Sequence, residues 1–171
     1  MSLLSRIFGK AVDDRAHVRP LWHRIVELAR EPRWYAEHGV ADTVAGRFDA
    51  VTLILALVML RMEREETLIK SSALLTELFV DDMDGQLRQS GVGDLVVGKR
   101  MGKLMSVLGG RLGALRDALP LGEAAVAEVI RRNVTLVDGV DGRAIAAEAV
   151  ALARQLDTLS GEDLLAGVIT R

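Results

Sequence analysis

The chain of 171 residues contains no cysteine. Disulfide staples, thiol catalysis and thiolate metal sites are thereby excluded, and a reducing cytosol suits it. Aromatic residues are scarce. All six of them, Phe8, Trp22, Trp34, Tyr35, Phe48 and Phe79, fall before residue 80, so the core must be built mainly from Leu, Val, Ala, Ile and Met. Only three prolines interrupt long stretches rich in Ala, Leu, Glu and Arg, a composition that favours helix over sheet. No charge sign dominates. Twenty-two Lys and Arg against 24 Asp and Glu leave a net charge of −2, which offers no whole-protein attraction to nucleic acid. No long hydrophobic run is present either. The most apolar stretch, Ala50 to Leu60, is eleven residues long, whereas a spanning helix needs about 20. A helix apolar on all sides must be surrounded, so this stretch reads as the buried centre of a globular domain. No signal peptide is visible, because Gly9, Lys10, Asp13 and Asp14 break the apolar pattern after Arg6.

Half of the residues are hydrophobic, enough at this length for one substantial core. The apolar positions recur at helical spacing. They predict a single compact all-α domain over residues 13–171, preceded by a short amphipathic segment, 1–12. In that segment Leu3, Leu4, Ile7 and Phe8 share one face, and Arg6 and Lys10 are the charged side chains. Such a face can contact an anionic membrane surface or pack on the domain. Residues 13–17 read as a polar linker. Pro20 opens a first helix, where its missing N–H is harmless. Pro32 opens a short second one carrying Trp34 and Tyr35, which Gly39 ends. Asp42 or Thr43 caps the central helix, 44 to about 65. Further helices are predicted over 68–89, 95–119, 123–132, 142–156 and 162–169. Residues 134–137 form a short extended piece with no evident partner strand.

Several constellations invite chemistry. Glu77, Asp81, Asp84 and Arg88 are spaced for one helix face. They form a salt-bridged solvated face, or an acidic patch that meets a partner or Lys99, Arg100 and Lys103. Calcium-loop spacing is absent, and no metal or cofactor is expected. Lys99 and Lys103 share a face of the next helix, loosely extended by Arg111 and Arg116. Without interleaved aromatics, specific nucleic-acid binding is not expected. Gly98, Gly102, Gly109 and Gly113 lie on the same helix, where glycine costs about 1 kcal/mol relative to alanine. Either another helix crosses closely there or the glycines line a groove for a client. No nucleophile, base and orienting group come together in sequence, and no Walker, dinucleotide or Gly-x-Ser-x-Gly motif is present. An enzyme is not expected.

The blocks Gly39-Val40-Ala41-Asp42-Thr43, Gly46-Arg47-Phe48-Asp49, Phe79 to Asp84, Leu87-Arg88, Gly91 to Leu95, Gly98 to Met101 and Gly110-Arg111 together resemble the ubiquinol–cytochrome c chaperone family. The resemblance spans residues 21–119. It implies an all-helical, non-enzymatic assembly chaperone that binds newly made cytochrome b or a related subunit during assembly of ubiquinol–cytochrome c reductase. A small partner protein, the ribosome and the inner membrane surface are the partners it implies, with a cytoplasmic location. Tyr35, Asp42, Arg47, Asp81, Asp84, Arg88, Asp94, Lys99 and Arg111 match the family blocks. With Lys103 they form the candidate client- or partner-binding set. Ala41 stands where the family has proline, Ile54 where it has histidine, and Gly109 and Leu115 where it has aromatics. The alternative is a peripheral membrane or ribosome adaptor without chaperone action.

Overall fold

The computed structural model describes residues 13–89, 91 and 93–170, apart from the side chains of Asp94 and Leu95. Its helices are α1 (Arg19–Ala29), α2 (Arg33–Ala36), α3 (Val44–Met62), α4 (Ile69–Gln89), α5 (Asp94–Ala118), α6 (Glu123–Asn133), α7 (Arg143–Thr158) and α8 (Gly161–Leu165). The amphipathic segment 1–12, with Leu3, Leu4, Ile7 and Phe8, lies outside the described residues.

The apolar run behaves as its composition requires. Every residue from Thr52 to Val58 is buried, so the middle of α3 has no solvent face. It packs against α1, α4, α5 and α7, each of which turns a narrower apolar stripe towards it. Thr43 is the cap: its Oγ1 accepts from the Gly46 N–H at 3.1 Å. The helix stops at Met62, short of the expected residue 65. There Arg61 turns away and donates to the carbonyls of Leu156 (3.1 Å) and Leu159 (2.9 Å) at the end of α7. It thus adds donors to carbonyls where the α7 ladder ends.

Three further expectations are corrected. Residues 13–17 are not a free linker: Asp13 pairs with Arg19, Arg15 pairs with Asp81 on α4, and a 3-10 turn at Ala16–Val18 buries Val18. The last helix ends at Leu165 instead of 169. Gly167 adopts φ +73°, and the Val168 N–H returns to the Asp163 carbonyl at 2.9 Å, a glycine-terminated helix end. Residues 134–137 do find a partner. Val40 and Leu136 form an isolated antiparallel bridge, flanked by Ala41 N–H to Thr135 O and Val137 N–H to Gly39 O, both 2.9 Å.

Arg111 is the largest departure. It is only 2% exposed, so it does not extend the basic surface of Lys99 and Lys103. Its guanidinium donates to Asp49 Oδ1 (2.9 Å), the Asp49 carbonyl (3.0 Å), Thr52 Oγ1 and the Asn133 carbonyl. Asp49 Oδ2 accepts from the Thr135 N–H (2.8 Å) and hydroxyl (2.7 Å). One buried ion pair therefore ties α3 and α5 to the α6–α7 connection. Burial of two charges is tolerable here because each has several hydrogen-bond partners.

Candidate functional site: a cleft between α1, α2, α3 and α4

Two adjacent aromatics build one wall. The Trp34 indole N–H donates to the Leu28 carbonyl at 2.7 Å and the Tyr35 hydroxyl to the Ala29 carbonyl at 2.6 Å. Both acceptors are carbonyls in the last turn of α1, so α2 is clamped across that end. The chain then turns at Gly39 (φ +83°), where a Cβ would stand 2.6 Å from Val140 Cγ2. It reaches Asp42 and the start of α3. Between these elements and α4 opens a cleft of about 740 Å³. Val26, Val51, Phe48 and Met83 supply its apolar lining, and Arg30, Tyr35, Asp42, Arg47, Asp82 and Gln86 its polar rim. Phe48 is backed by Phe79, which in turn meets Trp22 edge-on, so the floor is continuous with the core. At the mouth, in the first turn of α3, Val44 is 88% exposed.

The rim is electrostatically ordered. Arg47 Nε donates to Asp42 Oδ1 at 2.7 Å. This bond holds the Asp42 carboxyl below its usual range and raises the Arg47 guanidinium. Tyr35 is pushed up, first by burial and then by the Asp42 charge, against the opposing pull of Arg47 and Arg30. Because the folded-state value is raised, the stabilisation from neutral Tyr35 is complete below pH 10.0 and is lost as pH rises above it. Tyr35 is the only tyrosine. A phenolate absorbance titration should therefore give a midpoint above 10.0 in the native protein, returning to 10.0 in denaturant.

Of the candidate binding residues, the structure brings Tyr35, Asp42 and Arg47 into this cleft and places others elsewhere. Asp81 pairs with Arg15, and Asp84 pairs with Arg88 one turn on. Lys99 and Lys103 are exposed on α5, with no ion pair from the acidic face of α4 to either of them among the described residues. Asp94 starts α5. Among the described residues no group of three His, Asp or Glu side chains is gathered for a metal. The sequence reading missed Val44, Asp82 and Gln86. The one available signal was a large apolar residue directly after a helix cap, where staple positions would not place it.

The glycines of α5 resolve differently from the close-crossing reading. A Cβ on Gly98, Gly102, Gly109 or Gly113 would meet nothing within 4 Å. The buried side of α5 is instead Val97, Leu108, Arg111, Leu115 and Ala118. No neighbouring backbone demands these glycines, so Gly102→Ala should raise stability by about 0.5–1 kcal/mol. A urea titration in which this variant is destabilised would restore the close-crossing explanation.

The chain belongs to the ubiquinol–cytochrome c chaperone family, whose model, described as "Ubiquinol-cytochrome C chaperone", matches residues 36–171. The match runs through α6, α7 and α8, so the family likeness does not stop at Leu119 as the motif blocks suggested. Among solved structures, the chain is similar to the crystal structure of the Cbp3 homolog from Brucella abortus. The two share 31% identity with a TM-score of 0.80, over 99% of this chain and 96% of that one. No curated protein matches the sequence.

Proposed function

We propose that this protein is a non-enzymatic assembly chaperone that holds an apolar segment of newly made cytochrome b, or a related subunit, in the cleft between α1, α2, α3 and α4. The observation that carries the reading is the cleft itself. It joins Tyr35, Asp42 and Arg47 to an apolar floor and to Val44, a large side chain left 88% exposed at the entrance. Apolar walls bind a membrane-protein segment without sequence-specific chemistry. The Asp42–Arg47 pair gives the rim polar groups that orient it. Among the described residues no helix is long and apolar enough to cross a membrane, so the client would be met from one side of the bilayer. We place the protein on its cytoplasmic side, with a small partner protein or the ribosome as further contacts. Exposed Lys99 and Lys103 favour the adaptor alternative to the extent that they touch an anionic surface.

Val44→Asp tests the cleft. Position 44 is in the first turn of α3, where an acid is compatible with the helix dipole, so the fold should persist. Loss of a buried valine contact is worth about 1.5–3 kcal/mol, or at least tenfold in affinity. Cytochrome b recovered with the tagged protein should fall at least tenfold for Val44→Asp and stay unchanged for Leu121→Asp, a control at a residue 77% exposed on the α5–α6 turn. Equal recovery with both variants would remove the cleft from client binding.

A further inference from the structure

We infer that the cleft selects apolar segments that carry a cation at one end, and that Asp82 is the residue that recognises this cation. The inference deepens the client-binding reading proposed above and rests on it. Three helix faces line the cleft: Val26 and Arg30 from α1, Phe48 and Val51 from α3, and Asp82 and Met83 from α4. The charged side chains of the lining are Arg30, Asp42, Arg47 and Asp82. Two of them cancel, because Arg47 is bonded to Asp42 at 2.7 Å. The other two form no ion pair among the described residues. Arg30 is exposed, so water satisfies it. Asp82 is half-buried, next to the buried Met83. The nearby acids of α4 are both engaged, Asp81 with Arg15 and Asp84 with Arg88, so Asp82 is the acid of this wall left to meet a partner.

The consequence follows from solvation. Open to solvent, the Asp82 carboxylate keeps part of its water. An apolar segment seated on Phe48 and Met83 strips that water away. A wholly apolar occupant offers no donor in exchange, and a carboxylate buried without one is costly. A lysine or arginine at the end of the segment supplies a charged hydrogen bond and removes that cost. An acidic end is repelled. Asp82 therefore acts mainly through discrimination, because it penalises the wrong segment. The required chemistry has a general source. Membrane-spanning helices are flanked by an excess of Lys and Arg at their cytoplasmic ends, the side of the bilayer on which we place the protein. The occupant is thus the cytoplasmic end of a client helix, with its apolar run on the cleft floor and its flanking cation on Asp82.

The test uses the purified full chain and dye-labelled peptides, read by fluorescence anisotropy. The peptides share one short core of Leu, Val and Ala. One ends in two lysines, one in two acetylated lysines, which keep the shape and lose the charge, and one in two glutamates. The lysine peptide should bind about fivefold more tightly than the acetylated one, the scale of a partly screened charge pair, and the glutamate peptide more weakly than both. The near-isosteric Asp82→Asn should erase the preference for lysine over acetyl-lysine. Asp82→Lys should invert the order in favour of glutamate. Glu77→Gln removes one exposed charge from the same helix away from the cleft and should leave the preference intact. Equal binding of the lysine and acetylated peptides would overturn the inference and leave the apolar cleft reading standing. So would a lysine preference that survives Asp82→Asn, or tightest binding of the glutamate peptide, which would assign the selection to Arg30. Absence of saturable binding by any of the peptides would remove both this inference and the cleft reading on which it rests.

Discussion

Arg111→Met should lower the free energy of unfolding by about 3–5 kcal/mol, the cost of removing one member of a buried ion pair. Methionine fills a similar apolar path, so the loss is not mainly one of packing. It arises because the Asp49 carboxylate stays buried with only the Thr135 donors to satisfy it, and because the Asn133 carbonyl loses its donor. The double variant Asp49→Leu, Arg111→Met should recover part of the loss, since no charge is then stranded. Urea titrations of the three proteins, compared through their midpoints at constant slope, measure this directly. A single-variant loss below about 1 kcal/mol would show that Asp49 finds solvent or another donor when the arginine is absent, against the burial described here.

Gly46→Ala should be of similar size through a different cause. A Cβ at this position would lie 1.9 Å from the Ala41 carbonyl oxygen and 3.0 Å from its carbon. Those atoms belong to backbone held by the Ala41 N–H to Thr135 O bond, so they cannot rotate aside as a side chain would. Overpacking of this kind costs about 3 kcal/mol at its upper end, and displacement of the Gly46 N–H from Thr43 adds about 1 kcal/mol for the lost cap. For a domain of this size that should lower the melting temperature by about 10 °C. A shift of less than about 2 °C would mean that the turn before α3 moves freely, and the cleft wall built on it would then be soft. The contrast with Gly102 is the informative part: both glycines are inside helices, yet one is required by a neighbouring carbonyl and the other has empty space around it.

The sites of the helices were legible because the signal for a helix is local. The spacing of apolar residues, Pro20 in the first turn of α1, Thr43 before α3 and the all-round apolar stretch of Ala50 to Leu60 are read within one or two turns of chain. They determined an all-α fold with α3 at its centre, and the combination of motif blocks indicated the family. The cleft was legible only in part. Tyr35, Asp42 and Arg47 stood out through the family blocks, but the walls that face them come from α1 and α4, and no periodicity says which helix faces which.

Other features depended wholly on the tertiary structure. Arg111 looked like one more cation on a helix with Lys99 and Lys103, and its burial is decided by Asp49, which approaches from 62 residues away. The α5 glycines looked like a crossing point, and whether a backbone comes near them is a property of the neighbours. Val40 pairs with Leu136 because α3, α5 and α6 bring two distant loops together, through contacts too far apart in sequence to leave a local pattern. Helix formation draws on hydrogen bonds four residues apart, which composition and spacing record. The burial of a charge, the freedom of a glycine and the shape of a cleft depend on what the folded chain places beside them.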